Sequence, residues 1–141
     1  MVNKLIAPYV LEDEYRCHCC NQLPPQFSLL SPGFENLFRE WARLRYAWGR
    51  PITIKSGYRC PEHNKAIGGS YLSVHLFGLA LDCKLKTAQE CQNLYRIINE
   101  KAAYLRVGLY KNIPTLLHLD VGYYIYPKAH TSWVRGARWV N

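Results

Sequence analysis

The sequence predicts an α+β fold, a small antiparallel sheet packed against helices, and three observations carry that reading. Two stretches have helical apolar spacing: residues 32–48 with Phe34, Leu37, Phe38, Trp41, Leu44 and Trp48, and residues 87–102 with Cys91, Leu94, Ile97 and Ile98. Short apolar runs of strand character lie between and after them, at 52–56, 79–83, 105–110 and 116–121. No repeat, linker or low-complexity tract divides the 141 residues, a length that suits a single domain with its own core.

Residues 1–30 read as an irregular wrap, with Glu12-Asp-Glu14 as a solvated acidic turn and Pro24-Pro25 stopping any element. Ser31-Pro32 is a helix start, Ser31 at the N-cap and Pro32 in the first turn, and the aromatic stripe that follows is core. Gly49 and Pro51 end that helix. Ile52-Thr-Ile54-Lys-Ser56 alternates as a strand and delivers Gly57-Tyr58-Arg59 to a loop. Pro61 to Ile67 makes a helical turn, and Gly68-Gly69 a flexible loop. Thr87-Ala-Gln-Glu90 is a capping box opening a helix to about Ala102. Leu105–Tyr110 and 116–121 form a hairpin turned at Lys111–Pro114. The tail, 123–141, carries Tyr123, Tyr124, Tyr126, Trp133 and Trp139, enough aromatic surface to pack on the sheet or border a cleft.

Two of these strands carry charge where packing gives no reason for it. Leu79-Ala80-Leu81-Asp82-Cys83 is apolar except for one carboxylate, which is costly to bury unless paired or bound to a metal. Alternation puts Ala80 and Asp82 on one face, and His75 enters from the loop just before. By itself this is either a hydrogen-bonded structural Asp or half a metal site. Leu116-Leu117-His118-Leu119-Asp120-Val121 repeats the theme, with His118 and Asp120 on one face by the same period. If the strands are neighbours, His75, Asp82, His118 and Asp120 meet in one cleft. Three ligands with an open fourth position and a carboxylate alongside is the arrangement of a catalytic zinc. His63 is a further metal candidate that reads instead as a supporting or surface residue.

These residues resemble the zinc D-Ala-D-Ala carboxypeptidase and L-alanyl-D-glutamate peptidase family, which shares the hedgehog/DD-peptidase fold. The match runs through Ser56-Gly-Tyr-Arg59-Cys-Pro-Glu-His-Asn64, Gly68-Gly69, Ser73-x-His75-x-x-Gly78-x-Ala80-x-Asp82 and His118-x-Asp120-Val-Gly122, covering about residues 31–122. The resemblance implies Zn2+ held by His75, Asp82 and His118, substrate contacts from Tyr58, Arg59 and Ser73, and Arg59 also as a cation for the oxyanion. It implies hydrolysis of peptidoglycan stem peptides by an endolysin-like single-domain enzyme. Many relatives place the proton-handling carboxylate three residues before the last His. Thr115 stands there in this chain, so Asp120 becomes the available base, or else the group that orients the ligand imidazole. The departure also keeps open an inactive, zinc-stabilised wall-binding or phage structural module of the same fold.

Composition narrows the partners. The formal charge is +8, but Lys and Arg are scattered and no zinc-finger or helix-turn-helix pattern accompanies them, which argues against nucleic acid. An anionic wall polymer suits the charge as well. No apolar run is long enough to span a bilayer, and the first residues lack a secretory-signal pattern. The expected protein is a monomer made in the cytoplasm, reaching the wall when released, phage-fashion. Six cysteines in that setting point to thiols or metal rather than a disulfide framework. Cys17-x-Cys19-Cys20, with His18, reads either as a second structural zinc site including Cys60 or as buried small thiols in an N-terminal ribbon. No second Cys-x-x-Cys follows, which favours the thiols. In both cases Cys60 is expected beside this cluster, clamping the loop after the 52–56 strand.

Overall fold

The helical spacing after residue 31 produces a long helix, α2 (Pro32–Trp48), in a computed structural model that describes residues 4–125 and 134–141. Leu37, Trp41 and Leu44 have no exposed surface, and each such side chain contributes roughly 1.5–3 kcal/mol of burial. Ser31 occupies the N-cap, but its side chain makes no capping bond; its carbonyl accepts the Glu35 N–H instead. Gly49 ends the helix as expected.

The ribbon before α2 is more ordered than its composition suggests. β1 (Leu5–Ala7) and β2 (Val10–Leu11) pair antiparallel, and the acidic turn is a short helix, α1 (Glu12–Tyr15). Asp13 is exposed as expected, but the other two carboxylates are engaged. Glu12 pairs with Arg16, and Glu14 accepts the backbone N–H of Leu11 at 3.2 Å and of Ile54 at 3.4 Å. Charge alone reads as a solvated turn; these local and long-range amide partners cannot be read from it.

The main sheet has five strands in the order β3-β4-β6-β5-β7. β3 (Thr53–Ser56), β4 (Ala80–Lys84), β6 (Leu116–Asp120) and β5 (Arg106–Leu109) pair antiparallel, so the expected hairpin forms. The tail adds β7 (Arg138–Val140) parallel to β5, which makes the sheet mixed at that edge. Gly108 permits this: a Cβ there would lie 2.6 Å from the Trp139 ring. Tyr126 and Trp133 lie outside the described residues.

α4 (Ala88–Lys101) packs with α2, burying Cys91, Leu94 and Ile98, with Ile97 half-buried. Its capping differs by one residue from the expected box. Thr87 Oγ1 accepts the Glu90 N–H at 3.1 Å, but Glu90 reaches back to the Lys86 N–H, at 3.0 Å. α3 (Pro61–Ala66) supplies the helical turn after the Arg59 loop. Among the described residues no helix is long and apolar enough to cross a membrane.

Candidate metal centre

Strand register builds the floor of the site. Asp82 pairs with His118 and Ala80 with Asp120, and partners across a ladder share a face. Leu81 and Cys83, opposite Leu119 and Leu117, turn the other way into the core. The small Ala80 leaves space before the polar face. His75 joins it from a 3-10 turn, Val74–Phe77, whose first N–H groups include that of His75 itself, donated to Ser73 Oγ at 3.3 Å.

The His75 ring is fixed by its far side. Nδ1 lies 2.7 Å from the Gly57 carbonyl oxygen, which can only accept, so Nδ1 carries the proton and Nε2 presents a lone pair. Nε2 is buried, makes no hydrogen bond, and sits 3.2 Å from Asp82 Oδ2. Two lone-pair donors facing each other out of water are unfavourable until a cation stands between them. His118 completes the set, with Nδ1 3.0 Å from Asp82 Oδ1 and its ring centroid 5.0 Å from that of His75. His75, Asp82 and His118 each offer a ligand atom, all within 4.8 Å of one another. Two imidazoles and a carboxylate are a donor set that zinc accepts, and the residues present fit that ion.

Electrostatics divides the two imidazoles. Burial pushes the His75 pKa down, keeping it neutral against the pull of Asp82. Burial acts the same way on His118, but its hydrogen bonds to Asp120 and Asp82 outweigh it and bring the pKa to about 9. Burial would raise Asp82, yet the neighbouring His75 and His118 hold it well below the usual carboxylate range.

Around this cluster the expected site residues separate. Asp120, 1% exposed, has both oxygens occupied: Oδ2 lies 2.6 Å from His118 Nε2, while Oδ1 accepts the Gly122 N–H at 2.7 Å and lies 3.2 Å from Arg106 Nη1. Arg59 is a fixed cation. Its Nε donates to Ser56 Oγ (3.1 Å), Nη1 to Asn64 Oδ1 (3.1 Å) and Nη2 to Asp82 Oδ2 (3.0 Å). Ser73, His63 and His18 line the cleft, whose volume is about 790 Å³. Tyr58 does not; it is buried beside Cys17, Cys20 and Cys60, which together with burial raise its pKa. Thr115 is not among the cleft-lining residues either, and the cleft's carboxylates among the described residues are Asp82 and Asp120.

Five further residues bear on the site, Trp139 among them as part of the tail expected to pack on the sheet or border a cleft. Asn64 stood in the quoted motif, but nothing in its spacing shows that it braces Arg59 and bonds the Ser70 carbonyl at 2.8 Å. Gly69 is accordingly a packing position as well as a loop residue, since a Cβ there would overlap Asn64 Oδ1. Arg106 was legible as a buried charge in an apolar strand; its register partner is Asp120. Tyr110 lines the cleft with Asp82, and burial raises its pKa so that it stays protonated. Trp139 arrives from the tail, its ring 5.5 Å from that of His118.

Comparison with known proteins agrees with this geometry. Residues 22–120 match the family described as Peptidase M15, and that family is zinc-dependent. No curated protein matches the chain.

Proposed function

This chain belongs to the peptidase M15 family, and on that footing we propose that it is a zinc-dependent peptidase cutting the peptide stems of peptidoglycan, as a D,D-carboxypeptidase or endopeptidase. The observation that carries the reading is the convergence of His75, Asp82 and His118, buried and within ligating reach of one ion, on the floor of an open cleft. We read the whole chain as one such unit, acting as a monomer once it is released to the wall.

His75 Nε2, an Asp82 oxygen and His118 Nδ1 would hold the ion. Zinc bound there supplies Lewis acidity, polarising a scissile carbonyl and making water a competent nucleophile near neutral pH. The remaining chemistry belongs to the chain. Arg59 uses three of its five N–H donors on Ser56, Asn64 and Asp82, which leaves donors for a substrate carboxylate or the developing oxyanion. Tyr110, protonated beside Asp82, is a second donor to the same region. Lys55, Arg59 and Arg106 on the cleft wall suit stem peptides, which carry carboxylates. Ser73 borders that wall and orders the turn that presents His75.

Asp120 fits best as a positioning residue. Held by the Gly122 N–H and next to Arg106, it fixes His118 so that Nδ1 faces Asp82. Three of its roughly four lone-pair sites are taken, and it is 1% exposed, which leaves it little access to an attacking water.

The deciding experiment is digestion of purified muropeptides followed by mass spectrometry, with and without chelator. Zinc-dependent loss of D-alanine, or scission of a cross-link, supports the proposal and identifies the bond. A second reading, a zinc-stabilised wall-binding module without turnover, is favoured by Thr115 and by the burial of Asp120 against His118, Gly122 and Arg106. Tight wall binding with no product at any zinc concentration would establish it instead.

A further inference from the structure

A second donor cluster lies outside the cleft's metal triad. Cys17, Cys20 and Cys60 bring their sulfurs within 4.8 Å of one another. One tetrahedral zinc with Zn–S bonds of about 2.3 Å holds its sulfurs roughly 3.8 Å apart, so the arrangement needs little adjustment to close on an ion. The first two cysteines come from a tight turn: the Asn21 N–H donates to the Cys17 carbonyl at 2.8 Å, the Cys17 N–H to Gln22 at 3.0 Å, and Asn21 takes a left-handed φ of 57°. The third stands at the head of α3.

The surroundings of the sulfurs point to an ion independently of their spacing. Cys17 Sγ accepts the Cys60 N–H at 3.3 Å. Cys60 Sγ accepts the His63 N–H at 3.4 Å. A neutral thiol is a weak acceptor, and an amide aimed at each of these two sulfurs is placed for a thiolate. Buried thiols alone account for Cys17 and Cys60, but not for Cys20, which is exposed. A disulfide joins two sulfurs and strands the third.

We propose that Cys17, Cys20 and Cys60 bind a second, structural zinc ion that fastens the N-terminal ribbon to the Arg59 loop. An all-sulfur set selects a soft or borderline metal, and tetrahedral geometry selects zinc among those. Each coordinating thiol gives its proton to solvent. Cys19, His18 and His63 belong to the same two segments and are the candidates for a fourth donor. What the ion would hold is already visible in the backbone. Tyr58 N–H donates to the Tyr15 carbonyl at 2.8 Å, Arg59 N–H to the His75 carbonyl at 3.0 Å, and Gly57 O fixes the His75 ring.

The test uses the full chain purified under reductant and loaded with Co2+ in place of zinc. Wild type is expected to hold two equivalents and to show thiolate-to-cobalt charge-transfer absorption. A His75→Ala/His118→Ala double variant should keep one equivalent and the whole of that absorption. Cys20→Ala, altered at an exposed position, should bind the thiolate-site ion at least about tenfold more weakly. Absence of the charge-transfer band in wild type overturns the proposal, as does unchanged thiolate-site affinity in Cys20→Ala. So does a Cys17–Cys60 or Cys20–Cys60 disulfide in the reductant-purified protein, seen by mass spectrometry after blocking free thiols.

Discussion

The two donor clusters of this chain sit on opposite kinds of support. His118 and Asp82 stand on adjacent central strands, locked in register with an apolar core beneath them. Cys17, Cys20 and Cys60 stand on a turn and a loop, with only a two-stranded ribbon behind the first two. Asp82 and His118 need no ion to keep their directions, because these follow from the sheet, and the Gly57 carbonyl fixes the His75 ring. Cys17 and Cys60 of the loop-borne cluster are buried, but no strand ladder fixes the directions of these sulfurs, so an ion there would act as structure. Chemistry follows support: mixed nitrogen and oxygen donors with an open side where substrate must enter, sulfur donors where only fastening is needed.

The largest effect that would sharpen this contrast is expected from His118→Ala. Metal content should drop by one equivalent, peptidase activity should fall to background, and the fold should persist, as read by elemental analysis, muropeptide digestion and circular dichroism. Next comes Asp120→Asn. If Asp120 positions His118, zinc affinity falls about 10- to 100-fold while turnover at saturating zinc is largely retained. Loss of about 10²- to 10⁴-fold in turnover with zinc in place would make it the base instead.

Gly57→Ala probes the junction between the clusters. A Cβ at Gly57 would lie 2.5 Å from Tyr15 Cδ2 and 2.8 Å from the Tyr15 carbonyl oxygen. Overpacking of this kind costs about 1–3 kcal/mol, and thermal unfolding should show it, together with weaker metal binding at both sites. A variant as stable as wild type would mean that the clusters are independent.

The smallest effect is a proton count. With its pKa raised to about 9, His118 is charged at pH 7.5 and must lose a proton to become a ligand, whereas His75 is already neutral. Zinc affinity at the sheet cluster should therefore rise about tenfold per pH unit up to about pH 9 and then level off. Calorimetry of the Cys20→Ala variant in buffers of different ionisation enthalpy measures the release. No proton released at pH 7.5 would contradict the His118 assignment.

The sheet cluster was legible in the sequence because period two is a strong constraint. Asp82 and His118 each interrupt an apolar run, and one ladder between those runs is enough to bring them together. Arg106 obeys the same rule and could have been read by it. Asn64 and Tyr110 could not, since their places depend on loop geometry; Trp139 was expected as part of a tail that packs on the sheet or borders the cleft, but its parallel strand β7 was not. The acidic residues 12–14 mislead for a related reason: their partners include an amide of β3, distant in the chain. Cys60 was correctly expected near Cys17 and Cys20, but spacing alone did not reveal which sulfurs converge.

The seat of Trp139 gives the protein an optical property. Its indole stands 5.5 Å from His118 across the side-chain-free Gly108, with the Arg106 guanidinium 5.0 Å from the ring centroid. A charged imidazolium this near drains the excited state of an indole, and a neutral one does so far less. Ligation strips that charge from His118, so filling of the sheet cluster should brighten the emission of Trp139. The chain holds three other tryptophans, so a Trp139→Phe variant, in which the change should vanish, identifies the source of the signal.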